Sequence, residues 1–248
     1  MTITLITPTF NSAATLRDTL DSVAQQDHPH IEHLLIDGGS TDATLQIAAG
    51  YPGISRIVSE SDRGLYDAMN KGLRLATGEV IGILNSDDFY AHPQVLSRVA
   101  AQLLQTGAEA LYGDLQYVDA LDTARVVRHW TAGTFDPAAF YRGWMPPHPT
   151  FFVRRSVYER LGLFNTALRY SADYELMLRF LFRHRIPVCY LPEVLVRMRT
   201  GGASNASLGN RLRANREDRQ AWRLNDLTPR FYTLYLKPAS KLGQFLTR

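Results

Sequence analysis

Residues 79–88 read Glu-Val-Ile-Gly-Ile-Leu-Asn-Ser-Asp-Asp. The run 79–85 is nearly all apolar and then gives way abruptly to Ser86, Asp87 and Asp88. A short apolar run ended by polar residues is the pattern of a strand buried on both faces. Two adjacent carboxylates at the end of such a strand repel each other. A hard divalent ion, Mg2+ or Mn2+, is the simplest compensation, because it takes one or two carboxylates and completes its shell with phosphate oxygens and water. The plainer alternative is a helix N-cap, with Asp88 satisfying the free N–H groups of a helix over 89–95.

Working outward, three more strands precede this one. Residues 2–7 (TITLIT) are rich in β-branched side chains and end at Pro8; 32–37 (EHLLID) and 56–59 (RIVS) follow. Between them the sequence predicts helices from Ser12 to about Gln26, over 43–49 behind the caps Ser40, Thr41 and Asp42, and over 65–76. A helix over 93–105 and a strand starting at 110–113 come next. Strands alternating with helices imply βαβ units and an α/β, Rossmann-like, mostly parallel sheet flanked by helices. Ligands of such sheets sit outside the carboxyl ends of the strands. Here the polar punctuation at 8–11, 37–40, 59–63 and 85–88 falls at those ends, so four separate stretches converge on one rim. Beyond Asp114 the pattern loosens into an edge strand (126–130), a loop (131–149), helices (156–161 and 173–183) and a short strand (188–191).

Composition narrows the classes. With 248 residues, 45% hydrophobic and 21% charged, the chain is neither disordered, collagen-like nor a coiled coil, and it can bury a sizeable core. One cysteine, Cys189, excludes an internal disulfide framework and a cysteine zinc cluster, and points to the reducing cytoplasm. The net charge of +3 hides two unlike parts: residues 205–248 hold nine basic and three acidic side chains, while the other 204 hold 18 basic and 21 acidic. An acidic body lacks the basic footprint of a nucleic-acid binder. No run of about 18 apolar residues marks a membrane span, and the N-terminus opens on a strand rather than a signal peptide. No P-loop and no GxGxxG follows the first strand, which disfavours ATP hydrolysis and dinucleotide binding.

Other candidate residues lie on or near the rim. Asp37, at a strand end before Gly38 and Gly39, can accept from the N–H edge of a nucleobase. Arg63 and Lys71, in the charged stretch 59–72, can offset phosphate. Asn70 is odd inside a helix, where its side chain competes with backbone bonding, and it hints at a specific partner. Asp173 suits either a helix N-cap or a general base presented at a pocket. His148 sits in the rigid run Pro146-Pro-His-Pro-Thr150, and Gly201-Gly202-Ala-Ser-Asn205 reads as a flexible loop.

Taken together, the ordered stretches ITPTFN (6–11), IDGGSTD (36–42), 59–72, NSDD (85–88), 148–155 and SADYE (171–175) resemble glycosyltransferase family 2, of GT-A fold. Within it the chain is similar to bacterial exopolysaccharide enzymes of the colanic-acid type. The resemblance implies an inverting, metal-dependent transferase. Its donor is a nucleotide-diphosphate sugar, UDP-linked in preference to GDP-linked, and its acceptor a glycan or lipid-linked hydroxyl. By the same resemblance Asp37 bonds the base, and Pro8 and Phe10 line it. Asp62 and Arg63 flank the nucleotide, and Asp87 contacts the ribose. Asp88 holds Mn2+ or Mg2+, Asp173 is the catalytic base, and His148 stands on the acceptor side. Two departures stand out: Gly38 follows Asp37 where many relatives carry a second aspartate, and no histidine follows His184. The expected organisation is a catalytic domain over 1–205, divided into nucleotide (1–113) and acceptor (114–205) halves. A basic, aromatic helical tail over 206–248 follows, suited to the inner leaflet of a membrane or to packing as a solvated helix on the body.

Overall fold

Four parallel strands, β1 (Ile3–Thr9), β2 (Ile31–Asp37), β3 (Arg56–Ser59) and β4 (Val80–Ile83), lie in the order β3-β2-β1-β4 in a computed structural model that describes residues 1–201 and 208–233. The register pairs Thr9 with Asp37 and Asp37 with Ser59, so three carboxyl ends finish level with one another. β1 runs two residues past its expected end, because Pro8 keeps the extended φ of a strand and pairs with Ile36. α1 (Leu16–Ala24), α2 (Thr44–Ala49) and α3 (Leu65–Leu75) connect these strands, and α1 buries Leu16, Leu20 and Val23 as their helical spacing predicts.

The second half is mixed. β5 (Phe89–Tyr90), β6 (Ala110–Val118), β7 (Val126–Trp130), β8 (Phe152–Arg154) and β9 (Val188–Arg199) extend the sheet as β4-β8-β6-β9-β5, with β7 on β6. Only the β6–β9 pair is parallel there, so the parallel character belongs to the first four strands. Two local expectations are corrected. Residues 89–95 are not a helix: Phe89 and Tyr90 pair with Arg197 and Val196, and α4 (Val95–Thr106) starts only at Val95. β9 does not stop at Leu191: the register moves from Gly113–Leu191 to Asp114–Val194, so Pro192 and Glu193 bulge out and the strand resumes for a full twelve residues.

The segment 131–149, expected as loop, contains 3-10 turns at Pro137–Arg142 and His148–Thr150. α5 (Arg155–Leu161) precedes α6 (Ala172–Met177), which continues as a π-helical turn over Leu178–Arg183. α7 (Leu208–Leu224) changes the expected organisation. Its Ala221 and Trp222 are fully buried in the main hydrophobic cluster with Phe140, Tyr174 and Phe180. The Trp222 indole stacks on Tyr141 at 5.3 Å and donates to the Tyr174 hydroxyl at 2.9 Å. The expected tail is therefore joined to the body through this helix, and Trp222 is not available to a membrane. The loop 202–205 and the residues Tyr235, Lys237, Lys241 and Phe245 lie outside the described residues. Among the described residues no helix is long and apolar enough to cross a membrane.

Candidate active site

The rim forms where the parallel strands end. Asp37 is buried, and its Oδ2 accepts from the backbone N–H of Gly39 (3.1 Å) and Ser40 (3.0 Å) and from the Ser59 hydroxyl (2.7 Å), while Ser40 Oγ donates to Oδ1. Burial pushes its pKa up, but these donors outweigh it, so Asp37 is held ionised below the usual carboxylate range. Asn11 takes a positive φ of 49° where β1 turns away; its N–H donates to Ser40 Oγ at 2.8 Å and its Oδ1 accepts from Thr41 N–H at 2.9 Å. The N-cap of α2 is Ala43 rather than Ser40, Thr41 or Asp42; Asp42 stands one residue before it and accepts from Thr44 N–H at 3.0 Å. Beside this turn Phe10 is 62% exposed, an unusual place for a large aromatic ring unless something stacks on it.

Gly38 has a geometric reason. A Cβ built there would lie 2.4 Å from Asp62 Oδ2 and 3.4 Å from the Phe10 ring. The missing side chain makes room for Asp62, whose Oδ1 accepts from Gly64 N–H at 2.8 Å. Phe10 and Asp62 are thus brought together beside Asp37, and Pro8 is buried in β1 next to Ile36. Lys71 is not turned to this space: its Nζ donates to the Ser61 carbonyl (2.9 Å) and pairs with Glu60 (3.0 Å), bracing the loop that carries Asp62. Arg63 points to solvent and reaches Asp67 at 3.5 Å.

At the end of β4 the chain alternates: Asn85 and Asp87 are half-buried, and Ser86 and Asp88 are buried. Among the described residues Asp88 accepts only from Asn85 Nδ2 and Arg199 N–H, each at 3.3 Å. Burial first, then the neighbouring Asp87, pushes its pKa well up; burial likewise raises Asp87. Asn85 Oδ1 is buried without a hydrogen-bond partner. A cluster of oxygens short of donors is the chemistry a hard divalent cation completes, so these residues fit such an ion. No group of three or more His, Cys, Asp or Glu side chains gathers as a metal site among the described residues, so phosphate oxygens and water would have to supply the rest of the shell. Arg199, which sequence reading missed, stands behind the pair. Its Nη1 donates to the Asp87 carbonyl at 2.6 Å, Nη2 pairs with Asp18, and the guanidinium lies 5.3 Å from the centre of the Phe89 ring. Only the long course of β9 delivers it there.

Asp173 is not the cap of α6; Ser171 holds that position. Asp173 is the one half-buried residue among 171–178, and its Oδ1 accepts from the Tyr66 hydroxyl at 3.0 Å. Burial and the Asp173 charge raise the Tyr66 pKa well above its ordinary value, so Tyr66 is a donor. Tyr66 stacks on Phe164 at 5.5 Å, and His148 meets the edge of the same ring at 5.7 Å. Burial lowers the His148 pKa against a smaller opposing pull from Asp173, which keeps the imidazole neutral near pH 7. Asn70 has the specific partner its position hinted at: its Nδ2 donates to the Phe164 carbonyl (2.9 Å) and its Oδ1 accepts from Phe164 N–H (3.0 Å). From the far side Glu217 of α7 accepts from Tyr170 N–H (2.7 Å) and Ser171 N–H (3.0 Å), three and two residues before Asp173. α3 links the two ends of the site, since Asp62 precedes it and Tyr66 lies in its first turn.

This fold and rim are those of a glycosyltransferase, and comparison with known proteins agrees. The family description Glycosyl transferase family 2 matches residues 4–162, more than half of the chain. The chain belongs to this glycosyltransferase family. The PGL/p-HBAD biosynthesis glycosyltransferase of Mycobacterium bovis is 35% identical over 206 residues, 81% of this chain and 78% of that one. An uncharacterized glycosyltransferase of Mycobacterium tuberculosis is 32% identical over 187 residues, 72% of this chain and 68% of its own. Among solved structures, S. aureus TarS 1–349 in complex with UDP-GlcNAc superposes with a TM-score of 0.73 at 20% identity, covering 99% of this chain and 72% of that one. The mannosyltransferase PcManGT from Pyrobaculum calidifontis, in complex with GDP-Man and Mn2+, gives 0.65 at 20% identity, covering 99% and 75%. At that identity both show the shared GT-A fold. The chain spans 43% of the longer S. aureus TarS chain.

Proposed function

We propose that this glycosyltransferase moves a sugar from a nucleotide-diphosphate donor, UDP-linked in preference to GDP-linked, to a hydroxyl of a glycan or lipid-linked acceptor, with inversion, in bacterial cell-surface polysaccharide synthesis. The observation that carries the reading is the single half-buried carboxylate of α6, Asp173, held by Tyr66 one helical turn from the rim that gathers Phe10, Asp37 and Asp62. The base of the donor stacks on Phe10 beside Pro8 and meets Asp37 and Asp62. Asp37 has one lone pair of Oδ1 left after Ser40, enough for one N–H. The ribose lies toward Asp87.

Asp173 accepts the proton of the acceptor hydroxyl as that oxygen attacks the anomeric carbon. The bond from that carbon to the diphosphate breaks on the opposite face, and the diphosphate leaves with its electron pair. One displacement inverts the anomeric centre and needs no covalent enzyme intermediate. Mn2+ or Mg2+, when bound, neutralises charge on the leaving diphosphate. Asp88 and Asn85 Oδ1 would hold it, with half-buried Asp87 beside them toward the ribose. His148, neutral and on the Asp173 side, faces the acceptor. Release of UDP or GDP from a panel of nucleotide sugars with Mn2+ tests the reading. Release from one donor that Asp88→Ala abolishes supports it; no release from any donor, with no stabilisation by UDP or GDP, would contradict it.

A further inference from the structure

We propose that the outer face of α7, with Arg230 and Phe231 just beyond it, docks on an anionic phospholipid bilayer. The helix has two unlike faces. Asp218, Ala221, Trp222 and Asn225 are buried on one. Arg216, Arg219 and Arg223, three and four residues apart, form an exposed stripe on the other, and Arg213 extends it by one turn. None of these four arginines makes a hydrogen bond or ion pair among the described residues. Arg98, Arg142 and Arg183 are paired with carboxylates, and the exposed arginines of the body without an ion pair among the described residues, such as Arg56, Arg74 and Arg185, are scattered singly rather than set in a row. Four unneutralised guanidinium groups in a row create a positive strip on a chain whose first 204 residues are net negative.

Apolar groups accompany the charge. Phe231 is 89% exposed and Leu224 43%. Arg219, Arg223 and Arg230 line one shallow depression together with Leu227, Pro229 and Phe231. Arg230 is held in place by Tyr232, whose hydroxyl accepts from its Nη1 at 2.7 Å, and by the Tyr141 ring at 4.7 Å. Basic side chains beside exposed large apolar ones match the headgroup–acyl boundary of an anionic leaflet. A polynucleotide is the weaker match, because the acidic body would repel a polyanion running past the strip. The buried face of the same helix holds the start of α6 through Glu217 and the Ala214 carbonyl, which accepts from Ser171 Oγ at 3.1 Å. Docking would therefore fix the height of Asp173 above the bilayer. This deepens the acceptor side of the proposed function and rests on a lipid-linked acceptor; its readout does not depend on transfer.

The test is co-sedimentation of the full chain with phosphatidylcholine vesicles, with and without phosphatidylglycerol, at low and high salt. The chain is expected to bind only vesicles containing phosphatidylglycerol, and to release in high salt. The combined variant Arg216→Glu, Arg219→Glu, Arg223→Glu is expected to lose roughly 100-fold in partition, and Phe231→Ser several-fold. Stabilisation of each variant by UDP or GDP with Mn2+ reports that fold and donor site survive, since these residues lie outside both. Equal partition by the charge-reversed variant, indifference of the native chain to phosphatidylglycerol, or displacement from vesicles by duplex DNA would overturn the proposal. Absence of nucleotide stabilisation in the native chain would count against the transferase reading and leave the vesicle result standing.

Discussion

Asn70→Ala removes two hydrogen bonds that no other side chain can replace. Asn70 is buried, and it both donates to the carbonyl and accepts from the N–H of Phe164. It completes the backbone bonding of a loop residue 94 positions away. With alanine there, the Phe164 N–H and C=O stay buried and unpaired, at about 1–3 kcal/mol each, so the loss is about 2–6 kcal/mol. That is a large part of a typical stability of roughly 5–15 kcal/mol. At about 2–4 °C per kcal/mol for a chain of this size, the melting temperature should fall by roughly 4–24 °C. Asn70→Asp should not rescue it, because one oxygen still accepts from the N–H but the other then faces the Phe164 carbonyl. The consequence reaches the chemistry, since Phe164 is the ring against which Tyr66 and His148 are set. Turnover should therefore fall in the surviving folded fraction while nucleotide binding at the rim persists. Thermal unfolding and kcat measured on the same preparations check both parts. Native melting and native turnover in Asn70→Ala would refute the reasoning.

Three other outcomes follow. Glu217→Ala frees the Tyr170 and Ser171 N–H groups and should lower kcat by tenfold or more through a displaced Asp173, with KM for the donor unchanged; Glu217→Gln, which keeps an acceptor, should restore most of it. Tyr66→Phe withdraws the hydroxyl that holds Asp173 Oδ1 in place and should lower kcat by roughly tenfold through a displaced carboxylate, with KM for the donor unchanged. His33, buried and within 3.0 Å of Thr7 Oγ1, has its pKa pushed down to about 4 by burial. Its folded pKa lies below the ordinary value of about 6.5, so the unfolded chain binds a proton the native state refuses, and stability falls as pH drops from 6.5 toward 4, by up to about 3 kcal/mol. His33→Gln should flatten that part of the melting-temperature profile, measured in one buffer series.

The parallel half of the fold was legible because its signals are local. Apolar strands, polar ends and helical spacing of Leu16, Leu20 and Val23 each lie within a few residues. The convergence of Asp37, Asp62 and Phe10 followed from strand order alone. Asn70 also announced itself, as a polar side chain out of place in a helix. What stayed hidden depends on pairing between distant segments. Arg199 reaches Asp87 and Asp88 only because β9 bulges past Pro192, and a proline in sequence reads as the end of a strand. Phe89 and Tyr90 form a strand only because β9 is beside them. α7 looked like a basic tail because Arg dominates its composition, whereas its fate was decided by the few residues of the opposite face, Ala221 and Trp222 above all. The surroundings of Lys71 were hidden for a similar reason: a cation near a nucleotide loop invites a phosphate, and only the fold sets it against Glu60 and the Ser61 carbonyl.

The central claim is that Asp173 is the base of an inverting sugar transfer. Its most direct test is the turnover of Asp173→Asn at saturating donor and acceptor, with donor affinity measured alongside. The account predicts a fall of about 100- to 10,000-fold with donor affinity retained. Turnover within a few-fold of the native chain, at equal donor affinity, would contradict it.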